Sequence, residues 1–238
     1  MQQPSSPPRI TMSTIWYGVL DIFNIEKGLI YSVIALTTHP GRAIRTYLYE
    51  DRSRLMPPFR LLILTVAIGT FITIQYFKGS KFLDTIQPGL KDNGIERSAD
   101  AEAKYQVFLS GLSDIFNNYF NLFILLGVPV IALSTFWVFR RKMNYAEHLV
   151  VNSYFTAYAT LIYIVLSPLM WWKDYWFVSA FYFVFSVLYS MFLYTQVFQV
   201  KLLPGIFKTL LATLLYYFIY YLFFIIVALI VIAIYLAK

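Results

Sequence analysis

The sequence predicts an all-α fold: an integral membrane bundle of five transmembrane helices, preceded by amphipathic interfacial helices. Two observations predict it. Five long apolar segments, roughly Pro58–Phe77, Tyr119–Phe139, Leu149–Trp171, Tyr175–Val197 and Lys208–Ala237, are separated mostly by short charged loops. Each holds about 20 or more residues, enough to cross a ~30 Å hydrocarbon core at ~1.5 Å per residue. Composition agrees, with 59% hydrophobic and only 13% charged residues, where soluble domains carry about a quarter charged. Lipid offers no partner to a backbone amide, so each segment must pair its own and form a helix.

The elements follow in chain order. Residues 1–12 are rich in Pro, Ser and Gln and are expected to be disordered. No cleavable signal peptide is visible, so the first span should act as an uncleaved anchor. Residues 13–56 read as amphipathic helices on the cytoplasmic side. One is capped by Ser13 or Thr14, a second covers about Ile25–Leu36, and a third covers Pro40–Asp51. The residue before Pro40 is pushed out of helical geometry, which ends the second helix, while Pro40 itself suits a first helical position. In the third, Ile44, Tyr47 and Leu48 oppose Arg42 and Arg45. Such a helix either lies in the membrane interface or packs against the bundle.

The transmembrane domain takes in residues 57–238, with an outer loop at 78–118. That loop reads as turns at Gln87-Pro88-Gly89 and Asp92-Asn93-Gly94, then a helix over Ser98–Leu112. In the second span, Gly127-Val128-Pro129 should kink the helix and free a carbonyl. Basic residues set the orientation. Arg42, Arg45, Arg52, Arg54 and above all Arg140-Arg141-Lys142 mark one side as cytoplasmic, leaving the N-terminus inside and the C-terminus outside. In this setting the formal charge of +7 points to anionic headgroups and not to nucleic acid. The absence of cysteine excludes disulfides, thiolate nucleophiles and iron–sulfur clusters.

Polar residues inside the spans are the candidates for function. Asn152, Thr156 and Thr160 recur every four residues after His148, making one stripe along the third span. Ser186 and Ser190 do the same on the fourth, alongside Ser179, Tyr182 and Tyr194, and the fifth adds Thr209, Thr213 and several tyrosines. Such stripes either line a groove or form hydrogen-bonded seams between helices. No ionised group lies deep in a span, as proton- or ion-coupled carriers usually require. At the cytoplasmic end, Glu147, His148, His39, Arg42 and Arg45 form a candidate polar cluster. Two histidines and one carboxylate fall short of the three or four ligands a metal site needs, so neither metal nor other cofactor is expected. No nucleophile elbow, zinc-protease helix, P-loop or dinucleotide fingerprint is present, and no catalytic residue is assigned.

Three blocks carry a resemblance. Phe23-Asn24-Ile25-Glu26-Lys27-Gly28-Leu29 with His39-Pro40-Gly41-Arg42-Ala43-Ile44-Arg45 is the first, Tyr145-Ala146-Glu147-His148-Leu149-Val150 the second, and Lys208-Thr209 a weaker third. Together they resemble an uncharacterised bacterial membrane family, domain of unknown function 3667. The resemblance implies a multi-span bacterial inner-membrane protein and brings no established activity. The chain departs from it in lacking the Cys-x-x-Cys segment with which many members begin. It also carries Thr156 where a second histidine often stands.

The leading expectation is a non-enzymatic accessory or scaffold subunit of an inner-membrane complex, in contact with lipids, with other membrane subunits or with its own copies. The alternative is a small transporter or lipid-handling protein using a polar groove between the third, fourth and fifth spans.

Overall fold

In the computed structural model residues 28–77, 122–139, 142–172 and 175–236 are described. The expected disordered N-terminus, the helix starting at Ser13 or Thr14, the outer loop and the Arg140-Arg141 pair lie outside them. Regular structure among the described residues is helical, without strands.

Pro40 divides the N-terminal block. Helix α1 covers Ile30–Thr38 and α2 covers Pro40–Tyr49, joined through His39 at φ −140° and ψ 59°. That conformation lies outside the helical region, which proline disfavours for its predecessor. The expected second helix ends later than Leu36, its expected start at Ile25 lying outside the described residues, and the third stops at Tyr49 instead of Asp51. Helix α3, Pro58–Phe77, coincides with the first expected span. Helix α4 covers Leu122–Phe139 and runs on through Pro129. Helix α5 covers Tyr145–Leu166 and continues as a 3-10 turn over Ser167–Trp171. Helix α6, Tyr175–Val197, has the expected bounds. It closes at Gln199, in the left-handed region at φ 48°, with Val200 N–H returning to the Thr195 carbonyl at 3.2 Å. Helix α7, Leu202–Leu236, begins before the expected Lys208.

The start of α5 also differs from the expected Leu149. Asn144 Oδ1 accepts from Glu147 N–H at 2.9 Å, while Glu147 Oε2 accepts from Asn144 N–H at 2.8 Å. This reciprocal box satisfies two amides that would otherwise lack partners and fixes the helix start at Tyr145. His148 therefore lies inside the helix and is fully buried.

Five of the helices, α3 to α7, are each long and apolar enough to cross a membrane, which makes this a multi-pass membrane protein. Their outer faces agree: Phe71, Val165 and Phe207 are 64%, 71% and 72% exposed. Water would penalise so continuous an apolar surface, whereas lipid does not. Inside, α3 lies along α5, α5 along α6, and α6 along α7. The core centres on Leu61, Val66, Val151, Tyr154 and Leu193, all nearly inaccessible.

Helices α1 and α2 pack against this bundle through Leu36 and Ile44, both fully buried. The docking is polar as well as apolar, because each short helix leaves end groups unpaired. Gly41 N–H, in the first turn of α2, donates to Gln196 Oε1 of α6 at 3.2 Å. The Leu36 carbonyl, in the last turn of α1, accepts from the Tyr189 hydroxyl at 2.9 Å. In return, Arg45 Nη1 donates to the Val197 carbonyl at the end of α6 at 3.3 Å. Met56, in the connection to α3, is held from both sides. Its N–H donates to Ser32 Oγ at 2.8 Å, and its carbonyl accepts from the Tyr154 hydroxyl at 2.8 Å. A buried non-helical segment must have its backbone groups paired, and side chains of α1 and α5 do it.

Candidate functional site

Asn152 is the centre of the buried polar structure. Its position on α5, one turn above His148, aims it between α4 and α6. Asn152 Nδ2 donates to Thr135 Oγ1 of α4 at 2.8 Å and to the His148 carbonyl at 2.7 Å, and Oδ1 accepts from the Tyr194 hydroxyl of α6 at 2.6 Å. Thr135 places its own proton on the Ala132 carbonyl at 3.1 Å. Its oxygen therefore accepts from both Asn152 and His148 Nδ1, the latter at 3.0 Å. This proton count sets the histidine as the Nδ1–H tautomer. His148 Nε2 then has no partner among the described residues. The ring is sandwiched, stacked on Phe198 at 4.8 Å and edge-on to Phe136 at 5.7 Å. Phe198 in turn stacks on Phe139 at 4.4 Å, over which Lys208 Nζ sits at 5.7 Å.

The expected cytoplasmic cluster is divided between different surroundings. His148 is buried as just described, and among the described residues no hydrogen bond or ion pair joins it to His39, Arg42 or Arg45. His39 and Arg42 line two shallow surface hollows beside α2, and Arg45 lines one of them. Arg45 also lies 5.7 Å from the Tyr49 ring. Burial raises the Tyr49 phenol above its ordinary pKa, and a hydrogen bond to Glu147 with that carboxylate's charge adds to the effect, against the opposing charge of Arg45. Nearby, the Ser53 hydroxyl and amide lower the Asp51 carboxyl. Among the described residues no three His, Cys, Asp or Glu side chains are grouped to hold a metal ion.

The stripe along α5 has two parts. Toward the start of α5, Asn152 forms the interhelical seam. Farther along, Thr156 and Thr160 face a cavity of about 270 Å³ between α4, α5, α6 and α7, and Ser186 and Ser190 of α6 face it too. Gly127 and Thr135 of α4 and Tyr216, Tyr217 and Tyr220 of α7 complete much of the wall. Among the described residues neither Asp, Glu, Lys, Arg nor His lines it. Thr135 and Tyr194 belong to both parts, so the seam forms one wall of the cavity.

Sequence reasoning singled out Asn152 but not Thr135, its partner on α4. The available signal was Asn152 itself: an amide deep in a span needs polar groups on each facing helix. Ser134-Thr135 is the polar pair the α4 sequence offers at the matching depth.

No curated protein and no solved structure matches the chain. Residues 26–69 match the model of the family described as protein of unknown function (DUF3667), the same N-terminal block whose helix ends are paired by α6 and whose connection to α3 is held by α5.

Proposed function

We propose that this chain is a non-enzymatic inner-membrane protein that binds and hands on a small amphipathic molecule within the bilayer. The observation that carries the reading is the convergence of hydroxyl-bearing positions from α5, α6 and α7 on one apolar cavity with α4. A mostly apolar pocket with a few convergent polar groups is the usual form of a small-molecule site, and about 270 Å³ lies just under the volume of about 300 Å³ at which that class begins. Hydroxyls used only for packing would face a neighbouring helix, as Thr73 faces Tyr163 at 3.0 Å. The test is Thr156→Phe, which fills the cavity from α5. Native mass spectrometry of the full chain in mild detergent should show a co-purifying amphiphile on the wild type and at least a tenfold loss on the variant. An identical lipid complement on both would remove the reading.

A second reading, an accessory subunit that docks beside partners or its own copies, draws on α7. The stretch Leu202–Phe223 is the least covered of the five spans, with Leu203, Phe207 and Phe218 all outward. A strictly monomeric, partner-free particle in gentle detergent argues against it.

Orientation is part of the proposal, with the N-terminus cytoplasmic. The natural chain has no cysteine, so single cysteines report without background. Cysteine at Lys142 or Lys201 should react with an impermeant maleimide only after the membrane is permeabilised, and cysteine at Trp172 should react in intact cells. The reverse pattern inverts the topology.

A further inference from the structure

Helices α1 and α2 meet at His39 and leave a hollow of about 290 Å³ in the angle between them, separate from the cavity among α4 to α7. Residues three and four apart share a helix face, so α1 turns Tyr31, Ile34 and Ala35 toward it and α2 turns Arg42 and Ala43. The connection to α3 closes the far side with Asp51, Arg54 and Leu55. Pro58 opens α3 just beyond, and Arg45 of α2 reaches the Val197 carbonyl at the end of α6. The hollow thus stands beside the ends of two spans, where hydrocarbon gives way to head groups. Its α1 side continues into an exposed apolar face at Ile30, Tyr31 and Ile34.

The charges in the hollow do not cancel. Arg42 and Arg54 against Asp51 leave one positive charge. Asp51 is already engaged: Oδ1 accepts from the Ser53 N–H at 2.8 Å and the Ser53 hydroxyl at 2.7 Å, and Oδ2 lies 3.3 Å from Arg54 Nε. Among the described residues the Arg42 guanidinium and the His39 ring have no such partner. Thr38 and Thr46 also line the hollow, but their hydroxyl protons go to the Ile34 carbonyl at 2.8 Å and the Glu50 carboxylate at 3.2 Å. Arg42 and His39 are therefore its free donors, beside the Tyr31 phenol. The neighbouring hollow across Arg42 differs, because it holds Glu50 and its Arg45 is committed to Val197.

We infer that the hollow between α1 and α2 seats an anionic phospholipid, its phosphate on Arg42 and His39 and an acyl chain along Tyr31 and Ile34. A guanidinium presents a planar fork that matches two phosphate oxygens. A zwitterionic lipid would bring its ammonium against Arg42 and Arg54, with the Asp51 carboxylate already paired, and like charges at such range repel. A free phosphate would use the cationic half and leave the apolar half in water, whereas each methylene laid on Ile34 and Tyr31 adds to the affinity of a lipid.

The full chain in mild detergent is titrated with dioleoyl phosphatidylglycerol or dioleoyl phosphatidylethanolamine, and bound lipid is counted by native mass spectrometry. The first phosphatidylglycerol should bind about tenfold more tightly than the first phosphatidylethanolamine, the ratio expected from one charge-assisted hydrogen bond. Arg42 is exposed, so Arg42→Gln should abolish that preference at unchanged melting temperature. Arg52→Gln removes the same charge from a residue that lines neither hollow and should keep the preference. Equal losses in the two variants would assign the preference to diffuse charge and overturn the site, as would equal binding of both lipids by the wild type. Millimolar inorganic phosphate should leave the bound phosphatidylglycerol in place; displacement would make the occupant a free anion and overturn the lipid assignment.

Discussion

Gly41→Ala unseats α2 from α6. A Cβ at this position would collide with the Gln196 Cβ and come within 2.8 Å of the Gln196 carbonyl carbon. Neither atom is the yielding end of a flexible side chain, so the two helices must move apart. Overpacking of this kind costs about 1–3 kcal/mol. Separation also weakens the bonds that depend on the docked register: Gly41 to Gln196, Arg45 to Val197 and Tyr189 to Leu36. With about 1 kcal/mol for each bond lost, the total reaches roughly 3 kcal/mol. At about 2–4 °C per kcal/mol for a chain of this size, the melting temperature in detergent should fall by roughly 6–12 °C. Gly28→Ala is the matched control within the same family-matching block. Its Cβ would meet Met56 at an ordinary 3.7 Å, so the change should stay within about 0.5 kcal/mol of neutral. If both variants melt with the wild type, the close α2–α6 contact does not exist in the folded protein.

This contact also marks where sequence reasoning stops. The spans were legible because length and apolar content follow directly from bilayer thickness, and α3 and α6 ended where the apolar runs ended. The apolar run puts the start of the third span at Leu149, although Asn144-x-x-Glu147 is itself a helix-start signature that places it four residues earlier, at Tyr145. The apolar run puts the start of the fifth span at Lys208, whereas α7 begins at Leu202 with Pro204 in its first turn, where proline is tolerated. The recurrence of Asn152, Thr156 and Thr160 was equally visible. Its division into seam and cavity was not, since that depends on which helix stands opposite each residue. For Asn152 the neighbours are Thr135 and Tyr194, and for Thr160 an opening. Gly41 shows the same limit: nothing near it in the chain announces that Gln196 will press against it.

Asn152→Leu tests the hydrogen-bonded half of the stripe, which ties α5 to α4 and α6. Leucine keeps the volume and orphans the Tyr194 hydroxyl, while Thr135 loses one of its two donors. An orphaned buried polar group costs about 1–3 kcal/mol, against an average of only ~0.6 kcal/mol for interhelical contacts in membranes. Tyr194→Phe alone should cost a similar amount, because it orphans Asn152 Oδ1. The pair together should cost less than the sum, since neither partner is then left unsatisfied. A coupling of about 1–2 kcal/mol, read from melting in the same detergent, is the expected result, and additive losses would show that the 2.6 Å bond does not operate in the folded chain.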